Sequence, residues 1–183
     1  MSKRHNICGQ AYALTVLTPV IDARETSLAR CLDALETGAA SPLARVRGTH
    51  LARWVIISDV VYAGADQRRA DHLGHARLLF TSNFDGPLDP YLEELRTGLG
   101  ETADLIWAHC IGYPGRADGA AFAAYLRAHQ IDCSLFFAAY GERTVGQVTR
   151  SLATRRAVVD FVLRAQGMAD DELHAAFLQE FVR

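Results

Sequence analysis

The feature that most constrains this chain is that its strand-like segments are apolar on both alternating sides. The two clearest sets are Tyr12, Leu14 and Val16 against Ala13 and Leu17, and Leu78 and Phe80 against Leu79. Successive side chains of a strand point to opposite faces, so a sheet built from these segments is apolar on both faces. Such a sheet has to be covered on both sides.

Hydrophobic periodicity predicts a helix after the first strand. The full order of predicted elements is β-α-β-β-α, followed by a helical insertion, a last strand and the C-terminal helices. The predicted strands are residues 10–20, 49–62, 76–84 and 131–140, with a polar hairpin loop over 63–75. This order is the βαββαβ arrangement of a ferredoxin-like antiparallel sheet, in the α+β class. The 183 residues predict a single domain, with its core over about 10–140 and a C-terminal helical extension over about 144–183.

A ferredoxin-like sheet covers one face with its own two helices, and its other face needs a second cover. The C-terminal helices could supply this cover, or a second copy of the sheet could do so, which would make a dimeric α+β barrel. We favour the second copy, because symmetric interfaces between identical chains are common. The sequence therefore predicts a homodimer.

Three segments, THLARWVIISD, LLFTSNFDG and AHCIGYP, carry a resemblance together with the order of elements. Over Gln10 to Tyr140 the chain resembles the dimeric α+β barrel superfamily, and in particular uncharacterised bacterial proteins of this type. That superfamily includes haem enzymes related to chlorite dismutases, dye-decolourising peroxidases, haem-degrading proteins and aldoxime dehydratases. It also includes cofactor-free quinol monooxygenases and ligand-sensing domains. No histidine of this chain can be matched, position by position, to the axial histidine of any of those haem families.

Composition argues against several other classes of protein. The net charge of −2 shows no basic excess of the kind that nucleic-acid binders carry. The four cysteines form no CxxC pair, and no GxGxxG or P-loop pattern is present. The N-terminal segment lacks the apolar core of a secretion signal, and no run approaches the length of a membrane span. We therefore expect a cytoplasmic protein with reduced thiols and no membrane span.

His109 is the first candidate catalytic residue. It lies in LIWAHCIGYPG, where a helix ends between Trp107 and Tyr113. A neutral imidazole in aromatic surroundings suits a haem iron ligand or a general base. The alternative is a buried histidine that is hydrogen-bonded to a backbone carbonyl. In the catalytic interpretation, Trp107 and Tyr113 contact the substrate.

The second predicted strand carries three further candidates. Strict alternation places His50 and Trp54 on one face and Arg53 on the other. An arginine within an apolar strand needs a carboxylate, a substrate anion or a haem propionate, unless it reaches water at an edge. His50 and Arg53 are thus candidate catalytic residues and Trp54 a candidate substrate contact, and the face that lines the cavity decides among them.

The third predicted strand ends in TSNFDG, where Thr81, Asn83 and Asp85 share one face. Thr81 and Asn83 are polar residues late in a strand that begins apolar, and Asn83 is the candidate for contact with a ligand. We assign Asp85 to the turn, as an acceptor for backbone N–H groups of the following helix.

These features predict an enzyme with a hydrophobic small-molecule substrate and an oxidative reaction in the barrel cavity, with haem bound by His109. One alternative is a cofactor-free monooxygenase, lyase or cyclase of the same fold, in which His50 or His109 is the base. The other is a non-catalytic ligand-binding or accessory protein whose arginine-rich C-terminal helices bind a partner.

Overall fold

The computed structural model of the chain describes residues 5–61 and 71–182, and these residues confirm the α+β class. The strands are β1 (Ile7–Cys8), β2 (Ala11–Pro19), β3 (Thr49–Ile57) and β4 (Arg77–Asp85). The α-helices are α1 (Glu25–Asp33), α2 (Leu88–Leu99), α3 (Glu101–Trp107), α4 (Gly119–Ala128), α5 (Val145–Arg164) and α6 (Asp170–Phe181). The chain divides into two compact units, residues 1–145 and residues 146–183.

The first unit contains one antiparallel sheet in the order β1-β2-β4-β3. The two long central strands β2 and β4 pair along their whole length, from Ala11 opposite Asp85 to Pro19 opposite Arg77. This register gives each face of the sheet its own set of residues, because every residue of β2 lies opposite a residue of β4 on the same face.

One face of the sheet is covered by α1 to α4. Its β4 residues are all buried, and they are Leu78, Phe80, Ser82 and Phe84. Helix α2 packs on this face through leucines spaced three and four residues apart, Leu88, Leu92, Leu95 and Leu99. Trp107 of α3 is fully buried and meets Phe80 edge to face, with the ring centroids 5.5 Å apart. This aromatic contact joins the helical layer to the sheet.

The second face of the sheet, called here the open face, carries the other alternating residues of β2, β3 and β4. Leu17 and Leu79 are half-buried there, while Leu51 is 72% exposed and Val55 39% exposed. The face thus combines apolar side chains with accessibility to solvent.

The predicted strand over 131–140 is wrong, because residues 131–140 form no strand. Only Gln130 bridges to β2, at Val16, and the next N–H, that of Ile131, donates to the carbonyl of Thr15 at 2.8 Å. The same edge of β2 also pairs with β1 and bridges to Cys110 at Val20. These three short segments together occupy the edge of β2, so a ten-residue strand has no room to pair there.

The predicted second strand is longer than the observed one, since β3 ends at Ile57. Most of the predicted hairpin loop lies outside the described residues, which resume at Asp71. The predicted C-terminal helices are confirmed as α5 and α6. In the second unit, Phe161 of α5 packs against Phe177 and Phe181 of α6. Among the described helices, none has the length and apolar character that crossing a membrane requires.

We predict that Trp107→Ala lowers the free energy of unfolding by about 3–5 kcal/mol, because removing the indole ring leaves a large cavity in the core. Leu105→Ala is the matched control, since Leu105 lies on the same helix and is 59% exposed. The control should change the free energy by less than about 0.5 kcal/mol. Urea unfolding of the full chain measures both values, and equal losses would contradict the role given to Trp107.

Candidate functional site

A β-bulge at His50 determines where the candidate residues of β3 lie. Thr49 pairs with Phe84, while Leu51 pairs with Asn83, so β3 has one more residue than β4 at this point. A bulge of this kind bends the strand and redirects a side chain. The strict alternation expected from the sequence, with His50 on the face of Trp54, is therefore wrong.

His50 reaches Asp85, which is on the open face of β4. Its Nε2 lies 2.7 Å from Asp85 Oδ1, and the two side chains are 25% and 17% exposed. A carboxylate only accepts hydrogen bonds, so Nε2–H of the neutral ring donates and Nδ1 keeps its lone pair. Asp85 therefore orients the ring of His50, and Nδ1 is the ring nitrogen that can accept a proton.

Asp85 is itself held in place by the surrounding backbone. Its Oδ2 accepts the N–H of Val145 at 2.8 Å, and its own N–H donates to the carbonyl of Gly48 at 3.0 Å. Gly48 has φ +72°, and a Cβ at this position would lie 3.6 Å from Cβ of Asp85. Both oxygens of Asp85 are engaged away from α2, whose N-cap is Pro87, so the predicted role of Asp85 as a cap of that helix is wrong.

Arg53 and Asn83 meet in a groove on the open face. The groove has a volume of about 510 Å³, and its lining includes Ala13, Thr15, Leu51, Arg53, Thr81 and Asn83. Arg53 is exposed, and its Nε donates to Thr81 Oγ1 at 3.2 Å. This bond fixes the side chain near its base and leaves the terminal amino groups of the guanidinium for an anion.

The His50–Asp85 pair lies beyond one end of this groove. Asp85, Asn83 and Thr81 follow each other at every second position on the same face of β4. At about 3.3 Å per residue, the distance from Asp85 to Thr81 along the strand is roughly 13 Å. A small molecule that extends along β4 can therefore reach both the imidazole and the guanidinium.

A chain of hydroxyl groups supports this end of β3 from the core side. Tyr91 of α2 shares hydrogen bonds with Ser82 Oγ at 2.5 Å and with Thr49 Oγ1 at 3.1 Å. Burial raises the pKa of Tyr91, so the phenol stays protonated and keeps these bonds at neutral pH. Thr49 is the residue before the bulge, and its bond to Tyr91 holds the start of β3 against α2.

His109 lies away from the open face. Its Nδ1 is 3.3 Å from the carbonyl of Ile106, and its own carbonyl accepts the N–H of Ile21 at 2.8 Å. A groove of about 640 Å³ adjoins this segment, with Ala108, Cys110 and Tyr113 in its lining but not His109. The bond to Ile106 matches the backbone-bonded alternative for His109. Haem binding by His109 stays a prediction.

The aromatic candidates do not join His50, Arg53 and Asn83. Trp54 packs on Phe80 and Trp107 on the helical side of the sheet, with ring centroids 5.2 Å and 6.2 Å apart. The hydroxyl of Tyr113 donates a hydrogen bond to Asp104 Oδ1 at 2.8 Å. Burial is the main cause of the raised pKa of Tyr113. We therefore leave Trp54, Trp107 and Tyr113 out of the proposed site.

Two other histidines form comparable pairs in exposed positions. His72 Nδ1 lies 2.6 Å from Asp59, and His75 Nδ1 lies 2.8 Å from Asp22. The bonds from His72 and from two backbone N–H groups lower the pKa of Asp59 to about 2. Within residues 5–61 and 71–182, no group of three or more His, Cys, Asp or Glu side chains is arranged to hold a metal ion.

Sequence analysis missed the partnership of His50 and Asp85, although it considered both residues. The available signal was weak, because a bulge leaves no mark in the hydrophobic pattern. Comparison of the chain with protein-family models, with curated proteins and with solved structures gave no match.

We predict that the neutral ring of His50 carries its proton on Nε2, and that of His129 on Nδ1. His129 is the internal control, because its Nδ1 lies 2.8 Å from the carbonyl of Tyr125. Ring nitrogen-15 chemical shifts at a pH where both rings are neutral distinguish the two tautomers. Asp85→Asn should turn His50 into a mixture of tautomers, and an Nδ1–H ring in the wild-type chain would contradict the geometry.

Proposed function

We propose that the protein is a cofactor-free small-molecule enzyme in which His50 removes a proton from a substrate bound on the open face. The single observation that carries this proposal is the Asp85–His50 pair beside the Arg53 groove. A carboxylate that orients a histidine and stabilises its cation is a recurrent device for general-base catalysis. Monooxygenase, lyase and cyclase reactions without a cofactor can all begin with such a proton transfer.

The proton transfer assigns a role to each residue. Nδ1 of His50 takes a proton from a carbon or oxygen acid, and Asp85 stabilises the imidazolium that results. The substrate becomes an anion, and the amide of Asn83, the nearer of the two groups on β4, supplies a donor for the negative charge that forms. The terminal amino groups of Arg53 bind a carboxylate at the other end of the substrate. Leu51 and the methyl groups of Ala13 and Thr15 supply apolar contacts for the hydrophobic body of the substrate.

We further propose that the first unit is a ferredoxin-like fold with a shortened fourth strand. The bridge between Gln130 and Val16 is antiparallel and lies at the edge of β2 that is opposite to β4. The N–H of Leu17 also donates to the carbonyl of His129 at 3.0 Å. In a ferredoxin-like sheet the last strand runs at this edge, and residues 129–131 are what remains of it here.

In this proposal a second copy of the sheet covers the open face and closes the groove, which makes a dimeric α+β barrel. The exposed Leu51 and Val55 supply the apolar surface for this contact. Closing the groove would exclude water and strengthen the interactions of Arg53 and His50 with the substrate anion. The haem-dependent oxidative enzyme that the sequence predicts depends on His109. The described contact of that ring is with a backbone carbonyl rather than with a carboxylate.

We predict that the chain catalyses exchange of deuterium from D2O into small carboxylates with an acidic C–H between two carbonyl groups, as proton NMR would show. His50→Asn should lower the exchange rate by about 10²- to 10⁴-fold, because the general base is lost. Arg53→Met should mainly raise the substrate concentration for half-maximal rate, because it removes a binding contact.

His72→Asn is the matched control for this experiment, since His72 is also paired with an aspartate but is exposed and lies outside the groove. Its exchange rate should equal that of the wild-type chain. Equal exchange rates for His50→Asn and the wild-type chain would exclude His50 as the base. An absence of exchange with every carbon acid of this kind would exclude the proposed reaction.

We predict that Leu51→Glu weakens self-association of the chain by at least about tenfold, because it places a charge in the proposed interface. Leu105→Glu is the control, because it is the same substitution at an exposed leucine on the helical side. Sedimentation equilibrium measures the dissociation constant of each variant. A monomeric wild-type chain, or equal weakening by both variants, would contradict the barrel.

A further inference from the structure

The second unit has an apolar stripe that its own packing does not use. Val148, Leu152, Val159 and Leu163 of α5 recur at helical spacing, and Leu152 and Leu163 are 60% and 68% exposed. At 100° per residue these four side chains fall within about 60° of one another. Phe161, which packs on α6, points to the opposite side of the helix.

Helix α6 adds an exposed apolar side chain of its own. Leu178 is 42% exposed, and Asp171 lies two turns earlier, within about 20° of it in angle. Val182, the residue after the end of α6, is 61% exposed. The side of α6 that carries Leu178 and Asp171 is distinct from the one through which Phe177 and Phe181 meet Phe161.

The two helices carry opposite charges. Helix α5 has four arginines against the single acid Asp160, whereas α6 has four acidic residues and no arginine or lysine. Arg155 and Arg156 flank the apolar stripe of α5, about 50° to either side of it. Arg164 and Glu180 form the ion pair described within this unit, at 2.8 Å.

We propose that this unit binds the same unit of a second copy, with the stripe of α5 packed against the acidic α6 of the other chain. A two-fold axis makes this contact twice, and in each one Arg155 and Arg156 face acidic side chains. A purely anionic partner would suit α5 but meet the acids of α6, and a cationic partner would have the reverse difficulty. A second copy satisfies both helices.

This contact involves residues 146–183 alone and does not rest on the proposed enzymatic function. It is also separate from pairing of the open faces, since its charges and its apolar stripe lie in a different unit of the chain. The two contacts can be tested separately when every variant of α5 and α6 is made in a Leu51→Glu chain, in which the open-face contact is weakened.

The test uses two full-length charge-reversed chains with different affinity tags. One chain carries Arg155→Glu and Arg156→Glu, so that both α5 and α6 are acidic. The other chain carries Asp171→Lys and Glu172→Lys, so that α6 loses most of its negative charge while α5 stays basic. Co-purification of differently tagged copies is measured for each chain with itself and for the two chains mixed. We expect the mixed pair to give at least about tenfold more co-purified chain than the Arg155→Glu, Arg156→Glu pair.

A second pair of variants tests the apolar stripe without changing the acidic turn of α6. Leu152→Glu should abolish co-purification through this contact, and Ala153→Glu should leave it unchanged, because Ala153 lies about 110° from the stripe. Circular dichroism should show the same helix content in both variants. Equal co-purification in all charge combinations, together with equal values for Leu152→Glu and Ala153→Glu, would overturn the proposal.

Discussion

The hydrogen bond between His50 and Asp85 is the interaction on which the open face depends, and the bulge in β3 makes it possible. Regular alternation would turn His50 toward the helical side, next to Trp54, and leave a buried imidazole to be satisfied there. The extra residue instead lets Thr49 bond to Tyr91 while His50 reaches Asp85. One local irregularity thus separates the polar site from the aromatic core.

The two faces of the sheet therefore differ in chemical character. The helical face is filled by aromatic rings and leucines, and its buried hydroxyls bond to one another through Tyr91. The open face holds an imidazole, a guanidinium and an amide beside residues 81–85 of β4. Charged groups cost free energy if they are buried without partners. Here His50 and Asp85 are partners of each other, and the guanidinium of Arg53 stays exposed.

Local patterns predicted those elements that depend on local sequence. The leucine spacing of α2 and the apolar runs of β2 and β4 identified these elements, and the helices α5 and α6 followed from their stripes. Sequence failed where the outcome depended on distant partners. The run at 131–140 has strand composition, but the edge of β2 was already occupied by Ile7–Cys8 and Cys110.

The site shows the same division between local and distant causes. Arg53 and Asn83 were found because a charged or amide side chain in an apolar strand is conspicuous. Asp85 looked like a turn residue, because Asp before Gly usually is one. Its true partners are 35 and 60 positions away in sequence, and no periodicity connects them.

The measurement that tests the central claim most directly is a map of backbone amide chemical shifts on addition of 2-hydroxybenzoate, a flat anion with an apolar ring. The open-face site predicts that the largest changes fall at Leu51, Arg53, Thr81 and Asn83, and that Arg53→Met removes them. Largest changes at Gly112 and Tyr113, or changes that survive Arg53→Met, would contradict it.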